Sequence, residues 1–171
     1  MHAMAKLNSM PRRADRGQAV IELALTLPLL LLVVLGIFDF GFMFQKFEVV
    51  TNAAREGARV GVLPDYTPTD AVNRALQYLD SGGLGGPGVT TVAPGSCGGA
   101  ILANKRCAVA THTTTTLPAV GGEPAKNVDQ ITVVVEFDYE FQFVGPLMNL
   151  FGGSLGTTRL RSVSTMRIEP Q

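Results

Sequence analysis

The sequence predicts an α+β protein in which a long N-terminal transmembrane helix continues into a small antiparallel β-sheet domain. An apolar run, uncharged from Leu23 to Phe38, lies near the N-terminus, and a segment that alternates between apolar and polar residues with one exception lies near the C-terminus. Between these two segments, stretches rich in Gly and Pro separate the shorter predicted helix and strands from one another. With 171 residues the chain has room for about one domain beside a membrane segment.

Charge is distributed unevenly along the chain. The whole sequence carries 14 basic and 14 acidic residues, so we expect no strong field for nucleic acid and no nucleic-acid partner. Before Gly17, however, Lys6, Arg12, Arg13 and Arg16 face only Asp15, and the rest of the chain is mildly acidic. A basic head, an apolar run and an acidic body are typical of an exported protein held at a membrane.

The apolar run is long enough to cross a bilayer. Residues 19–38 number 20, and a helix of about that length spans a hydrocarbon core of about 30 Å. A soluble chain of this size could hardly bury such a helix on all sides, so membrane lipid is an expected partner. The basic cluster at 12–16 is denser than the basic residues that follow the run, which favours a cytoplasmic N-terminus.

We do not expect this run to be removed as an ordinary secretory signal. It exceeds the usual apolar core of about 7–15 residues. The residues that follow, 39–45, are bulky and aromatic where a signal peptidase requires small side chains. The aromatic residues suit the membrane interface instead.

The helix is predicted to extend from residue 18 to about 62, with Pro28 inside it, and so to project beyond the membrane. Ala53, Gly57 and Gly61 form a small-residue pattern that permits close approach of another backbone. The partner is either the protein's own sheet or a neighbouring subunit. Pro64 and Pro68 are predicted to end the helix.

Shorter elements follow. Thr69 or Asp70 is the predicted cap of a second helix over 71–79, and 81–88 is a flexible connector. The predicted strands are 89–92, 108–117, 131–143 and 158–169, with a turn at 121–127 and an exposed His112 of no ligand role.

The strand at 131–143 is the clearest. Ile131 to Phe143 alternate between an apolar face and a polar face that carries Glu136, Asp138 and Glu140. These carboxylates could bind Ca²⁺ or serve acid–base chemistry, but their spacing favours a solvent-facing row that is hydrated or paired. Pairing with the strand at 158–169 would bring Arg159, Arg161 and Arg167 close to them.

The two cysteines, Cys97 and Cys107, lie in a stretch rich in Gly, Ala and Pro. Without a further Cys near a His, no metal site is expected. An extracytoplasmic location predicts a disulfide, and the alternative is two free thiols. Since the sequence has no P-loop, GxSxG, HExxH or Cys–His pair either, we expect no enzyme activity, no catalytic residues and no cofactor.

Glu22 is the unusual residue of the apolar run, because an isolated carboxylate in hydrocarbon costs several kcal/mol. It either reaches the headgroup boundary or pairs with a cation. Cleavage after Gly17 would create an amine on Gln18 that could pair with Glu22 of a neighbouring subunit. A basic leader, a Gly and a Glu at the fifth mature position are the signature of prepilin processing.

The string RGQAVIELALTLPLLLLVVLGIFDFGFMFQ, with Pro28 and Asp39 in it, resembles the N-terminal region of TadE-like proteins. These are pseudopilins, or minor pilins, of tight-adherence (Flp-type) pilus systems. The stretch AAREGAR at 53–59 and residues 164–169 resemble the same family. Gln18 departs from the Phe that many type IV pilins have at this position.

The resemblance implies a leader at 1–17, cut between Gly17 and Gln18 by a prepilin peptidase, and an assembly role for Glu22. It implies a single-pass protein of the bacterial inner membrane whose partners are other pilin subunits and the assembly machinery. The remaining predicted regions are the transmembrane and projecting helix (18–62), the short helix and connector (63–88) and a periplasmic or extracellular β domain (89–171). The alternative is a signal-anchored binding or scaffold protein without a pilus role.

Overall fold

The computed structural model describes residues 14–93, 97–119, 121–122, 124–150, 152–153 and 156–168, with side chains from residue 17 onward. Residues 1–13 of the predicted leader and Glu169 of the C-terminal strand lie outside the described residues.

A single long helix, α1, runs from Ala14 to Gly61 and has Pro28 inside it. Its 48 residues give a length of about 72 Å. The first half is exposed, whereas Val50, Ala53, Ala54 and Ala58 are fully buried in the core. The first half of the helix is therefore a candidate anchor, and the second half is a core element of the domain.

The second helix, α2, spans Pro68–Ser81, several residues longer than predicted. Thr67, rather than Thr69 or Asp70, is its N-cap: Thr67 and Asp70 exchange side-chain and backbone hydrogen bonds in a capping box. These bonds lower the pKa of the Asp70 carboxyl, the side-chain bond from Thr67 first. Pro68 starts this helix instead of merely ending the previous one, because its missing N–H is harmless in the first turn.

The sheet has four strands in the order β1-β2-β3-β4, namely Thr90–Thr91, Lys105–Leu117, Lys126–Glu140 and Thr157–Arg167. β2 pairs with β3, and β3 with β4, in antiparallel fashion. The α+β class is confirmed, with one difference: the two-residue β1 pairs in parallel with β2, so the sheet is mixed. Thr90 lies opposite Lys105 in that pair.

The core lies between the sheet and the two helices α1 and α2. On β3, Ile131, Val133, Val135, Phe137 and Tyr139 are almost completely buried, as the alternation predicts. On α2, the buried residues are Ala71, Ala75 and Leu79. Both helices cover the same face of the sheet, which makes a two-layer domain.

The bounds of β3 differ from the prediction. The strand begins at Lys126, because the Thr-rich end of β2 stays paired as far as Leu117 opposite Lys126. It ends at Glu140, and a short helix that the sequence analysis missed, α3 (Val144–Leu150), follows. A side chain of α1 accepts the hydrogen bonds of the backbone amides where the chain turns from β3 into α3.

Candidate functional site

The anchor half of α1 has the properties of a membrane span. Within the described part of the chain, Gly17–Gly61 is one helix long and apolar enough to cross a membrane, with a mean hydropathy of 2.6 over its most apolar window. None of that window is buried inside the protein. Outward-facing side chains such as Val20, Leu25 and Leu29 stand 65–75% exposed, as lipid-facing residues would.

Gly17 and Gln18 are the fourth and fifth residues of α1, and both are exposed. The first four N–H groups of a helix have no acceptor within the helix, so the Gly17–Gln18 bond lies next to the weakly held N-terminal turn. A Cβ placed on Gly17 would meet no described heavy atom within 4 Å. Packing therefore does not require glycine here, whereas it does at Gly57 and Gly61.

Glu22 lies one turn further along, exposed on the apolar half of α1. Its backbone carbonyl accepts a hydrogen bond of 3.0 Å from Thr26 Oγ1. Among the described side chains, no basic group forms a salt bridge with the Glu22 carboxylate. The structure thus places Gly17, Gln18 and Glu22 near one end of the helix, with no basic partner for the carboxylate among the described side chains.

Asp39 forms a joint between the anchor and the sheet domain. It is fully buried, and its carboxylate accepts backbone hydrogen bonds from Gln142 (3.0 Å), Phe143 (3.0 Å) and Val144 (2.7 Å). These N–H groups lie between the end of β3 and the first residue of α3, more than 100 positions away from Asp39 in sequence. The role was missed, although an acid placed directly after an uncharged run is the signal that could have revealed it.

Tyr139 and Lys46 complete the joint. Tyr139 Oη donates to the Asp39 carbonyl at 3.3 Å, and Lys46 Nζ lies 4.9 Å from the Tyr139 ring centroid. Burial, followed by the charge and hydrogen bonding of Asp39, raises the pKa of Tyr139 to about 12. Burial lowers the pKa of the Lys46 ammonium. Both effects indicate a tightly packed contact.

The two cysteines are joined. The Cys97–Cys107 disulfide has a Cα–Cα distance of 5.6 Å, within the usual range, and confirms the predicted pair. It fastens the loop that follows Cys97 to β2. From this loop the Gly98 N–H donates to Glu136 Oε2 at 2.7 Å and the Leu102 N–H to Asp138 Oδ2 at 3.1 Å.

The loop changes the interpretation of the acidic row. Glu136 and Asp138 are buried beneath it, so the predicted solvent-facing row is wrong at these two positions. Arg159 Nε donates to Asp138 Oδ1 at 2.7 Å, which raises the pKa of the Arg159 guanidinium, and Arg161 pairs with Glu136 at 3.4 Å. The third arginine, Arg167, lies opposite Gln130 instead.

These carboxylates therefore act structurally. Arginines and loop amides occupy their oxygens, and the described residues contain no cluster of three or more His, Cys, Asp or Glu side chains arranged to hold a metal ion. The structure offers two separate regions of interest: the N-terminal turn with Glu22, and the joint at Asp39. The disulfide-tied loop belongs to neither.

Comparison with known protein families gives a match that covers the α1 residues of both regions. The family model described as TadE-like protein matches residues 17–59. Neither the curated proteins nor the solved structures provide a significant match. The matched span begins at Gly17, includes Glu22 and Asp39, and ends in the buried small-residue half of α1. Over most of α1, this chain matches the TadE-like family that its sequence resemblance predicts.

Proposed function

We propose that this chain is a minor pilin, or pseudopilin, of a tight-adherence pilus system. The observation that carries the proposal is the TadE-like match from Gly17 onward, on a helix whose apolar half is exposed and bears an unpaired carboxylate among the described residues. The anchor would hold the protein in the bacterial inner membrane with its N-terminus in the cytoplasm and its sheet domain on the far side. The proposed role is assembly rather than catalysis.

The first step of the proposed role is cleavage between Gly17 and Gln18 by a prepilin peptidase. The bond joins the fourth and fifth residues of α1, so a peptidase can open the helix there at the loss of few hydrogen bonds. Glycine also disfavours the helix by about 1 kcal/mol relative to alanine. Among the described residues no packing contact requires glycine at position 17, and recognition by the peptidase would account for it.

The second step is pairing between subunits. Cleavage leaves a cationic amine on Gln18, four positions and therefore one turn before Glu22 on the same helix face. An amine that reaches the Glu22 carboxylate of a neighbour requires two helices staggered by roughly 6 Å along their axes. Pairing would relieve the cost of a carboxylate in hydrocarbon. The partners are then other pilin subunits of the same system.

The experiment is co-purification of Glu22 variants with pilus components, with the processing state of each variant measured alongside. Glu22→Ala should still be cut after Gly17 but should retain about tenfold less partner, which corresponds to about 1.4 kcal/mol. Glu22→Asp should fall in between, because it keeps the charge and loses reach. The matched control is Thr26→Ala, an exposed polar residue one turn away that should bind normally.

Wild-type co-purification of a processed Glu22→Ala variant would contradict the pairing. The carboxylate would then be an interfacial residue, and a signal-anchored scaffold would explain the chain equally well.

A further inference from the structure

The connection between β3 and β4 has an unusual composition. No charged residue occurs from 141 to 158, between Glu140 and Arg159, and the segment begins with Phe141, Gln142 and Phe143. Exposed apolar patches on a domain usually mark a contact with another protein or with a membrane. A long uncharged connection that is rich in apolar residues therefore suits an apolar environment.

The structure places this connection beside the anchor. The Asp39 carboxylate holds its first amides, and a Cβ built on Gly36 would lie 4.0 Å from Val144 Cγ2. Further along α3, Leu147 and Met148 line one side of a groove of about 740 Å³. Residues from Ala24 to Leu35 of α1 line the other side. α3 thus extends from Asp39 back along the span, toward the middle of the apolar run.

Apolar side chains of this connection stand exposed among the described residues, beside one exposed polar residue of α3, Asn149. Leu150 of α3 is 78% exposed, and Phe143 just before α3 is 43% exposed. Aromatic rings connect the segment to the anchor at the level of the joint: Phe141 lies 6.1 Å from Phe40, and Phe143 lies 6.4 Å from Phe42, measured between ring centroids. Such a cluster suits the boundary between headgroups and acyl chains.

We propose that residues 141–150 are a second membrane-contacting element, a short helix embedded in the export-side leaflet next to the anchor. Acyl chains of lipid fill the groove between α3 and α1. The groove is continuous with the exposed apolar surface of the span, and its lining residues carry no charge. Lipid is therefore favoured over a polar-rimmed protein partner. The inference rests on the membrane anchoring in the proposed function and adds a second contact to it.

The consequence is a fixed orientation. A single helix lets an attached domain rotate and tilt over the membrane, whereas a second point of contact, joined to the first through Asp39, restrains both motions. The sheet domain would stand over the bilayer in one orientation, with the Thr-rich part of β2 in water.

The test uses the full-length chain in phospholipid vesicles at a low protein-to-lipid ratio. With the native disulfide intact, a nitroxide is attached through a maleimide to Leu150→Cys, and its collisions with oxygen and with a water-soluble nickel chelate are compared. Two matched sites provide references: Leu30→Cys on the exposed face of the anchor and Thr115→Cys on the exposed part of β2. The Leu150 label should resemble the Leu30 label, with frequent collisions with oxygen and few with the nickel chelate.

Each other result overturns the inference in a distinct way. If the Leu30 label lies in lipid while the Leu150 label resembles Thr115, α3 is in water and the anchor still stands. If the Leu30 label is itself in water, the anchor fails and the proposed function fails with it. If the Leu150 label is shielded from both reagents, protein rather than lipid covers α3.

Discussion

At the scale of single residues, Asp39 determines how the two parts of the molecule are connected. Its carboxylate satisfies three backbone donors where β3 gives way to α3. A charged acceptor makes shorter and stronger hydrogen bonds than a neutral one. The residue follows the uncharged span directly, so the joint lies at the level where the helix is expected to leave the membrane.

We predict that Asp39→Ala lowers the free energy of unfolding by about 2 kcal/mol or more, because each buried donor left without an acceptor costs about 1–3 kcal/mol. Hydrogen exchange should show lost protection at the amides of residues 142–144. Glu48→Ala, which removes an exposed carboxylate from the same helix, should change stability little. Retained protection at 142–144 in Asp39→Ala would show that another group holds this turn.

Tyr139 predicts a loss of stability in alkali. Its pKa is about 12 in the folded protein against 10.0 for the free side chain, so the unfolded chain gives up this proton first. The contribution of Tyr139 to the free energy of unfolding is therefore complete below pH 10 and falls by about 1.4 kcal/mol per pH unit from pH 10 to about 12. Unfolding of the detergent-solubilised protein by denaturant across this window measures the slope.

The comparison that isolates this effect is Tyr139→Phe, which keeps the ring beneath Lys46 and should have a shallower slope. Lys46 has the opposite effect. Because burial lowers the pKa of its ammonium in the folded protein, the free energy of unfolding rises with pH between that pKa and 10.5. Lys46 is present in both proteins, so its effect cancels when their slopes are compared. A slope in Tyr139→Phe equal to that of the wild-type protein would contradict the assignment.

At the scale of elements, α1 packs differently along its length. Its second half uses small residues to approach α2 and the sheet. A Cβ on Gly57 would lie 2.9 Å from the backbone oxygen of Ala71, and one on Gly61 would overlap Ile131 Cδ1. The sequence left open whether these small residues pack against a neighbouring subunit or against the protein's own sheet domain. The structure shows that Gly57 and Gly61 pack against the protein's own domain.

We therefore predict that Gly57→Ala lowers the free energy of unfolding by about 1–3 kcal/mol, the usual cost of overfilling a packed site. The backbone oxygen of Ala71 cannot move aside as a flexible side chain would. Gly41→Ala is the control in the same helix: it meets no heavy atom within 4 Å and should gain up to about 1 kcal/mol from helix propensity. Equal stabilities of the two variants in denaturant unfolding would refute the close contact.

The elements also show how far sequence patterns reach. The period of two in β3 correctly identified its buried face, because alternation follows from strand geometry alone. It could not show that Glu136 and Asp138 are covered, because the covering loop is fixed by a distant disulfide. Similarly, α3 depends on an acceptor from α1, a tertiary contact that no local pattern of residues 144–150 contains.

At the scale of the whole molecule, one continuous helix connects the candidate membrane span to the folded domain. About 66 Å of α1 separates the proposed cleavage site at Gly17 from the packed Gly61 at its other end. The Asp39 joint divides this length into an exposed and a buried half. Such a division suits a subunit whose anchor meets other subunits while its domain remains outside. The proposed pilin function then depends on processing at the N-terminus.

The most direct test of that claim is the intact mass of the protein extracted from membranes of the producing cell, with its peptidase present. We predict a chain that begins at Gln18. Gly17→Leu should retain the leader, whereas Gly41→Leu, at the other open glycine of α1, should be cut normally. A wild-type protein that still carries residues 1–17 under these conditions would contradict the pilin function.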